Sequence, residues 1–135
     1  MRKCYVSKIN IPQIELPIDI LIDVLSIARP NDQFEIAAIT VAELWQGVER
    51  ATGSHRAKRQ QYLQTILNSL PIIPYTEQTA YEHARLWADL EASGQRIGFY
   101  DLIVAATALE RGSEVATFNE KHFALVKGLS VIEPQ

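Results

Sequence analysis

Four polar residues stand where a short apolar segment of the chain gives way to a helical one, and their types are those that bind divalent cations. Asp19, Glu43 and Asp101 are carboxylates, and Asn119 follows the apolar segment 114–118. Short apolar runs alternate with longer helical ones, an order typical of a parallel sheet covered on both faces. Ligands of such folds bind beyond the carboxyl ends of the strands. The pattern therefore predicts that these side chains meet at one edge of the sheet.

Three carboxylates that converge repel one another unless a cation lies among them. Oxygen ligands of this hardness suit Mg²⁺ or Mn²⁺, and the cysteine and histidines of the chain lack the spacing of a zinc site. A metal held this way can activate water and neutralise the charge that builds on a phosphate during in-line displacement. The chemistry predicted for this edge is hydrolysis of a phosphodiester without a protein nucleophile.

Each of the four residues also has a purely structural interpretation. Asp19 and Asn119 are common residues of turns. Asp101 opens the apolar helix that follows it, where an aspartate often caps the first turn. Glu43 forms a Ser/Thr-x-x-Glu pattern with Thr40, which predicts a capping box with Thr40 as the N-cap. The repeated placement of the four at strand–helix boundaries favours the functional interpretation over these.

The helices and strands that must position these residues are read from periodicity and from helix-ending residues. Predicted strands cover 16–19, 34–39, 72–75, 114–118 and 129–132, and the first 15 residues are predicted as an irregular arm with an extended piece near Lys3 to Ile9. A helix buried on most sides follows Asp101 and ends at Gly112. Another helix begins after Thr76 and runs to about Ser93.

Composition limits the classes of function. The 135 residues fit one domain, and 47% hydrophobic with 21% charged residues is the balance of an ordinary globular protein. No apolar run is long enough to span a bilayer, and the start of the chain does not have the pattern of a secretory signal. Cys4 is the single cysteine, which favours a reducing cytoplasm. A net charge of −3 argues against binding nucleic acid through overall charge, although a local basic patch stays possible.

Four segments carry more specific motifs: 18–25, 39–49, 97–109 and 116–123. The most specific are Thr-Val-Ala-Glu-Leu around Glu43 and Tyr-Asp-Leu-Ile-Val-Ala-Ala-Thr-Ala around Asp101. At these residues the chain resembles the PIN-domain ribonucleases, most closely the VapC-type toxins of bacterial toxin–antitoxin pairs. The resemblance covers the chain from about Leu16 onward, so we predict an N-terminal arm at 1–15 and a single PIN-like domain at 16–135.

The resemblance implies a three-layer α/β/α fold with a mostly parallel central sheet. It also implies Mg²⁺- or Mn²⁺-dependent endonucleolytic cleavage of RNA, homodimer formation and neutralisation by a VapB-type antitoxin. By motif, Glu43 and Asp101 take the second and third acidic positions of the family, and Asn119 takes the fourth. Read without a gap from Asp23, the first acidic position is Pro17, which cannot bind a metal. Read with two residues missing after the strand, it is Asp19, and we prefer this alignment.

Two further functions remain as alternatives. The altered first acidic position suggests a PIN-fold protein that has lost catalysis and acts as a binding partner. A generic phosphate-binding domain, such as a signalling receiver, ranks lower because the chain lacks the phosphate-loop pattern. Five basic residues could hold an RNA backbone, with a solvated helix connection as the structural alternative: Arg50, Arg56, Lys58, Arg59 and Arg96.

Overall fold

The computed structural model describes residues 3–6, 33–117 and 120–132. Its five strands form one sheet in the order β3-β2-β1-β4-β5, and every pairing in it is parallel, as predicted. The strands are β1 (Lys3–Val6), β2 (Gln33–Ala37), β3 (Ile72–Ile73), β4 (Glu114–Ala116) and β5 (Val131–Ile132).

Along the described part of the chain, helices separate β2 from β3, β3 from β4 and β4 from β5, as the crossover connections of parallel strands require. They are α1 (Ala38–Arg50), α2 (Gly53–Asn68), α3 (Glu77–Ala92), α4 (Phe99–Arg111) and the single turn α5 (Glu120–Phe123). Helix α1 packs against β2 and β3, and α4 packs against β1 and β4. Helix α2 lies on α1, and α3 lies on α4. None of the helices in the described ranges is long and apolar enough to cross a membrane.

The strand at the centre of the sheet lies where the sequence predicts an extended piece of an irregular N-terminal arm. Lys3–Val6 pair with β2 on one side and with β4 on the other, so that Cys4 lies opposite both Phe34 and Glu114. Four residues of mixed polarity do not show the apolar run by which a buried strand is identified. The predicted strand 16–19 and the boundary between residues 15 and 16 lie outside the described residues.

The predicted capping box at the start of α1 is wrong. The helix begins at Ala38, its N-cap is Ala37, and no side-chain hydrogen bond caps it. Thr40 is therefore the third residue of the helix, and its side chain is buried. Because β2 runs into α1 without a loop, the cap falls on the last residue of the strand. Glu43 then lies in the second turn of the helix, which excludes the capping role predicted for it.

Helix α4 is the buried centre of the fold, as its apolar sequence predicts. Every residue from Leu102 to Ala108 is buried. Leu86 and Leu90 of α3 and Val115 of β4 belong to the same core. Gly112 ends the helix in the left-handed conformation with φ 64°, as predicted.

A partly buried ion pair ties the end of α4 to the sheet. The side chain of Glu35 in β2 is 7% exposed, and that of Arg111 is 32% exposed. Arg111 Nε donates to Oε2 of Glu35 at 2.9 Å, and Nη2 donates to Oε1 at 2.5 Å. Such a two-point contact fixes direction as well as distance, so the last turn of α4 is held in register with β2.

We expect Arg111→Met to lower the free energy of unfolding by about 3 kcal/mol or more, because it leaves the buried Glu35 carboxylate without this guanidinium. The matched control is Arg85→Met on α3, whose pairs with Glu82 and Asp89 are on the surface. Exposed pairs of this kind contribute about 1 kcal/mol at most. Urea denaturation of the three proteins measures both differences, and equal losses would contradict the assignment.

Candidate functional site

Asp101 lies at the start of the buried helix but does not cap it. The N-cap of α4 is Gly98, and no side-chain hydrogen bond caps the helix. Asp101 is the third residue of α4, with 17% of its side chain exposed. A carboxylate in the first turn is stabilised by the helix dipole, which explains why it can be largely desolvated there. The structural interpretation of Asp101 as a side-chain cap is therefore excluded.

His122 of α5 is the residue beside Asp101 that sequence reasoning missed. Its Nδ1 lies 3.3 Å from Oδ2 of Asp101. The sequence predicts only an ordinary surface or packing role for it, because the spacing of the histidines is not that of a metal site. The available signal was its place three residues after Asn119, in the segment that carries the fourth motif.

Gly98 lets the chain pass close to the Asp101 carboxylate. A Cβ added at this residue would lie 3.4 Å from Oδ2 and 3.8 Å from Cγ of Asp101. The lack of a side chain at residue 98 therefore leaves space beside Oδ2.

Glu43 is placed on the helix that packs beside α4. It is half-buried in α1, and α1 contacts α4 directly. Within 3–6, 33–117 and 120–132, no group of three or more histidine, cysteine or acidic side chains could hold a metal ion. Asp19 and Asn119 lie outside these ranges. The all-oxygen chemistry of Glu43 and Asp101 fits a hard cation such as Mg²⁺. The three-carboxylate site stays a prediction.

Two of the five basic residues make packing contacts. Arg56 pairs with the Glu49 carboxylate at 3.3 Å and donates to the carbonyl oxygens of Val48 and Glu49. Arg59 donates to the carbonyl oxygen of Gly47 at 3.1 Å. These contacts hold the start of α2 against the end of α1. For Arg56 and Arg59 they therefore favour a structural role in the helix connection over RNA binding. Exposed basic side chains remain at three of the predicted RNA-binding positions: Arg50, Lys58 and Arg96.

An aromatic cluster extends from α3 to the residue before Asp101. It consists of Tyr75, His83, Trp87, Phe99 and Tyr100. The His83 ring stacks on Trp87 at a centroid distance of 5.8 Å and meets Phe99 edge to face at 5.9 Å. All of the cluster except His83 is about half exposed. A half-exposed group of aromatic rings is typical of an interaction surface.

His83 is the buried member of this cluster. Burial lowers the pKa of its imidazole below the ordinary value. The Tyr75 hydroxyl lies 2.9 Å from Nδ1. The neutral ring is therefore favoured in the folded protein.

Comparison with known proteins identifies the family. A family model described as the PIN domain matches residues 21–129. The chain belongs to the PIN-domain family. Ribonuclease VapC1 of Rickettsia felis is 32% identical over 101 residues, which are 74% of this chain and 75% of that protein. VapC ribonuclease Y4jK of Sinorhizobium fredii is 35% identical over 111 residues, 79% of each chain. The match to the PIN-domain model includes Asp23, Glu43 and Asp101, and it begins after Asp19.

Solved structures agree on the fold. The PIN-domain chain is similar to one in the VapBC2 complex of Rickettsia felis bound to a promoter DNA fragment, with a TM-score of 0.79 and 22% identity over 97% of this chain and 98% of that one. It is similar also to a chain of VapBC-5 from Mycobacterium tuberculosis, with a TM-score of 0.72 and 26% identity over 100% and 99%. The described part of this PIN domain therefore has the fold of VapC structures.

We expect His83 to make the PIN domain less stable in mild acid. Because its folded pKa is lowered, its contribution is fully present above the unfolded pKa, near 6.5, and is lost as the pH falls towards the folded value. Urea denaturation of the wild type between pH 7.5 and 5.5 should therefore show a steeper loss of stability than that of His83→Gln. The exposed His55→Gln serves as control and should follow the wild type. Parallel curves for His83→Gln and the wild type would refute this role.

Proposed function

We propose that this PIN-domain protein is a metal-dependent endoribonuclease that hydrolyses RNA phosphodiester bonds as the toxin of a type II toxin–antitoxin pair. The observation that carries the proposal is its similarity over three-quarters of the chain to proteins named VapC ribonucleases. The position of Asp101 supports it, because a largely desolvated carboxylate that is not a side-chain cap stands at the start of the buried helix α4, where it can face a cation.

In this proposal Asp19, Glu43 and Asp101 hold Mg²⁺ or Mn²⁺, and Asn119 completes the site. A bound ion would supply an activated water and would neutralise charge on the scissile phosphate. Asp101 meets this task because the buried body of α4 fixes its position. The N-terminal end of α4 contributes partial positive charge, which favours an approaching phosphate. The exposed Arg50, Lys58 and Arg96 are the residues proposed to attract the RNA backbone.

The proposed partners follow from the same relatives. Structures similar to this chain are described as VapBC toxin–antitoxin complexes. We propose that a VapB-type antitoxin binds this protein as well. The setting in which such a pair works is the cytoplasm, and the single cysteine is compatible with it.

We also propose a homodimer that forms through the aromatic cluster. Aromatic side chains present about 150–250 Å² each, so four half-exposed rings offer roughly 400 Å². A stable interface needs about 800 Å² per partner, so the cluster could form its centre. Polar groups beside it already have partners within the chain: Arg85 contacts Glu82 and Asp89, and Trp87 Nε1 donates to Glu91. Because these polar groups are already paired, the surface favours an apolar partner. The same aromatic cluster of a second copy, related by two-fold symmetry, is such a partner.

The alternative function is a PIN-fold protein with impaired catalysis that acts as a binding partner. The sequence favours it at one place, the first acidic position, where the ungapped alignment puts Pro17. The range of the family match adds Asp23 as a position to test, because it includes Asp23 and not Asp19.

We expect Asp101→Asn and Glu43→Gln each to lower the rate of RNA cleavage roughly a hundredfold or more, since a metal ligand contributes several kcal/mol to the transition state. Purified protein is assayed with Mn²⁺ on single-stranded RNA, and EDTA should abolish cleavage. Glu77→Gln, at an exposed carboxylate of α3, is the matched control and should retain the wild-type rate.

The same cleavage assay tests which residue occupies the first acidic position of the family. We expect Asp19→Asn to abolish cleavage and Asp23→Asn to retain it. The reverse result would show that the two-residue gap is wrong. An inert wild-type protein would favour the binding-partner alternative, and cleavage that survives EDTA would contradict the metal mechanism.

We expect Trp87→Glu to convert the dimer into a monomer, because two-fold symmetry would bring two buried like charges together. Light scattering during size-exclusion chromatography measures the mass. Tyr81→Glu is the matched control, since Tyr81 is 60% exposed on the same helix but has no ring contact with the cluster. If Trp87→Glu stays dimeric, the interface lies elsewhere.

A further inference from the structure

We infer that His122 is a positioning residue that fixes the orientation of the Asp101 carboxylate. The inference rests on the proposed function, because the orientation matters only if Asp101 binds a cation. The imidazole Nδ1 holds Oδ2, which leaves Oδ1 as the oxygen that remains for the ion. The sequence motifs and the match to the PIN-domain model give His122 no role in the site.

The carboxylate needs such a constraint. The terminal torsion of an aspartate is broad, so a backbone fixed by α4 does not by itself fix the direction of the two oxygens. Residue 98 is a glycine and has no side chain beside Oδ2, where a Cβ would lie at 3.4 Å. His122 Nδ1 approaches this oxygen at 3.3 Å. The contact with His122 therefore distinguishes the two oxygens of the carboxylate.

The position of His122 is itself fixed by the core. Its neighbour Phe123 is fully buried, and α5 packs against α4. The His122 side chain is 57% exposed, and its contact with Asp101 is long for an N–H···O hydrogen bond. The contact therefore contributes little to stability. The stability of the fold does not depend on this contact, whereas a carboxylate that must present one oxygen does.

The two ring nitrogens of histidine give a sharp test. The amide nitrogen of asparagine falls near Nδ1, and that of glutamine falls near Nε2. Only Nδ1 contacts Asp101 in the structure. The inference therefore predicts that His122→Asn keeps the function of the contact, whereas His122→Gln and His122→Ala lose it.

The readout is the affinity of the purified protein for Mn²⁺ alone, measured by isothermal titration calorimetry without RNA. We expect His122→Gln and His122→Ala to raise the Kd roughly 10- to 100-fold, the usual effect of losing a partner that orients a metal ligand. His122→Asn should bind as the wild type does, and so should the control His55→Gln. The thermal midpoint without metal should be unchanged in all four variants, which shows that they are folded.

The outcomes separate this inference from the proposed function. If Asp101→Asn abolishes Mn²⁺ binding but His122→Ala and His122→Gln bind as the wild type does, His122 does not position Asp101, and the metal site stands. If His122→Asn loses as much affinity as His122→Gln, the Nδ1 contact is not the cause and the inference falls. A wild-type protein that binds no Mn²⁺ overturns the proposed function and this inference together.

Discussion

The burial of α4 is the constraint on which the rest of the structure depends. Every residue from Leu102 to Ala108 is buried, so this part of the helix has neighbours on every side. A helix packed in this way cannot shift along or around its axis without opening voids or clashes. Whatever stands at its two ends is therefore held in place by the core. At one end this is Arg111, which reaches Glu35 in the sheet, and at the other it is Asp101.

The same helix sets the relation between the aromatic cluster and Asp101. Helix α3 lies along α4, and Thr79 Oγ1 donates to Oε2 of Glu110 at 2.6 Å across the pair. Thr79 also belongs to the capping box of α3, in which Thr76 accepts from its backbone N–H. The start of α3 is thus fixed to the end of α4. The cluster spans both helices, so its rings and Asp101 belong to one rigid unit, and a partner bound to the cluster would border the proposed site.

Features that depend on neighbouring residues in sequence could be predicted, and those that depend on distant ones could not. The end of α4 at Gly112 and the cap at Thr76 are local, because the residue type and its immediate neighbours decide them. Strand β1 owes its place to pairing with β2 and β4, which are far away in the chain, and its composition gives no sign of this. The capping box at Thr40 failed for a related reason. A strand that runs directly into a helix moves the cap upstream, and only the structure shows that no loop intervenes.

The residues of the candidate site also separate into those that the sequence predicts and those that only the fold brings together. Asp101 and Glu43 were identified by motif, and their helices prove to be packed together. His122 comes from a different segment and meets Asp101 only through the packing of α5 on α4, so no local sequence pattern predicts the contact.

The net charge of the chain explains why the orientation of carboxylates is important for the proposed function. The chain has a net charge of −3, and two of the five candidate RNA-binding residues make packing contacts. Its overall field therefore repels a phosphate backbone, and attraction must be generated locally. A cation bound by oriented carboxylates would reverse the sign at that one point, so the direction of each carboxylate oxygen would decide where RNA can be held.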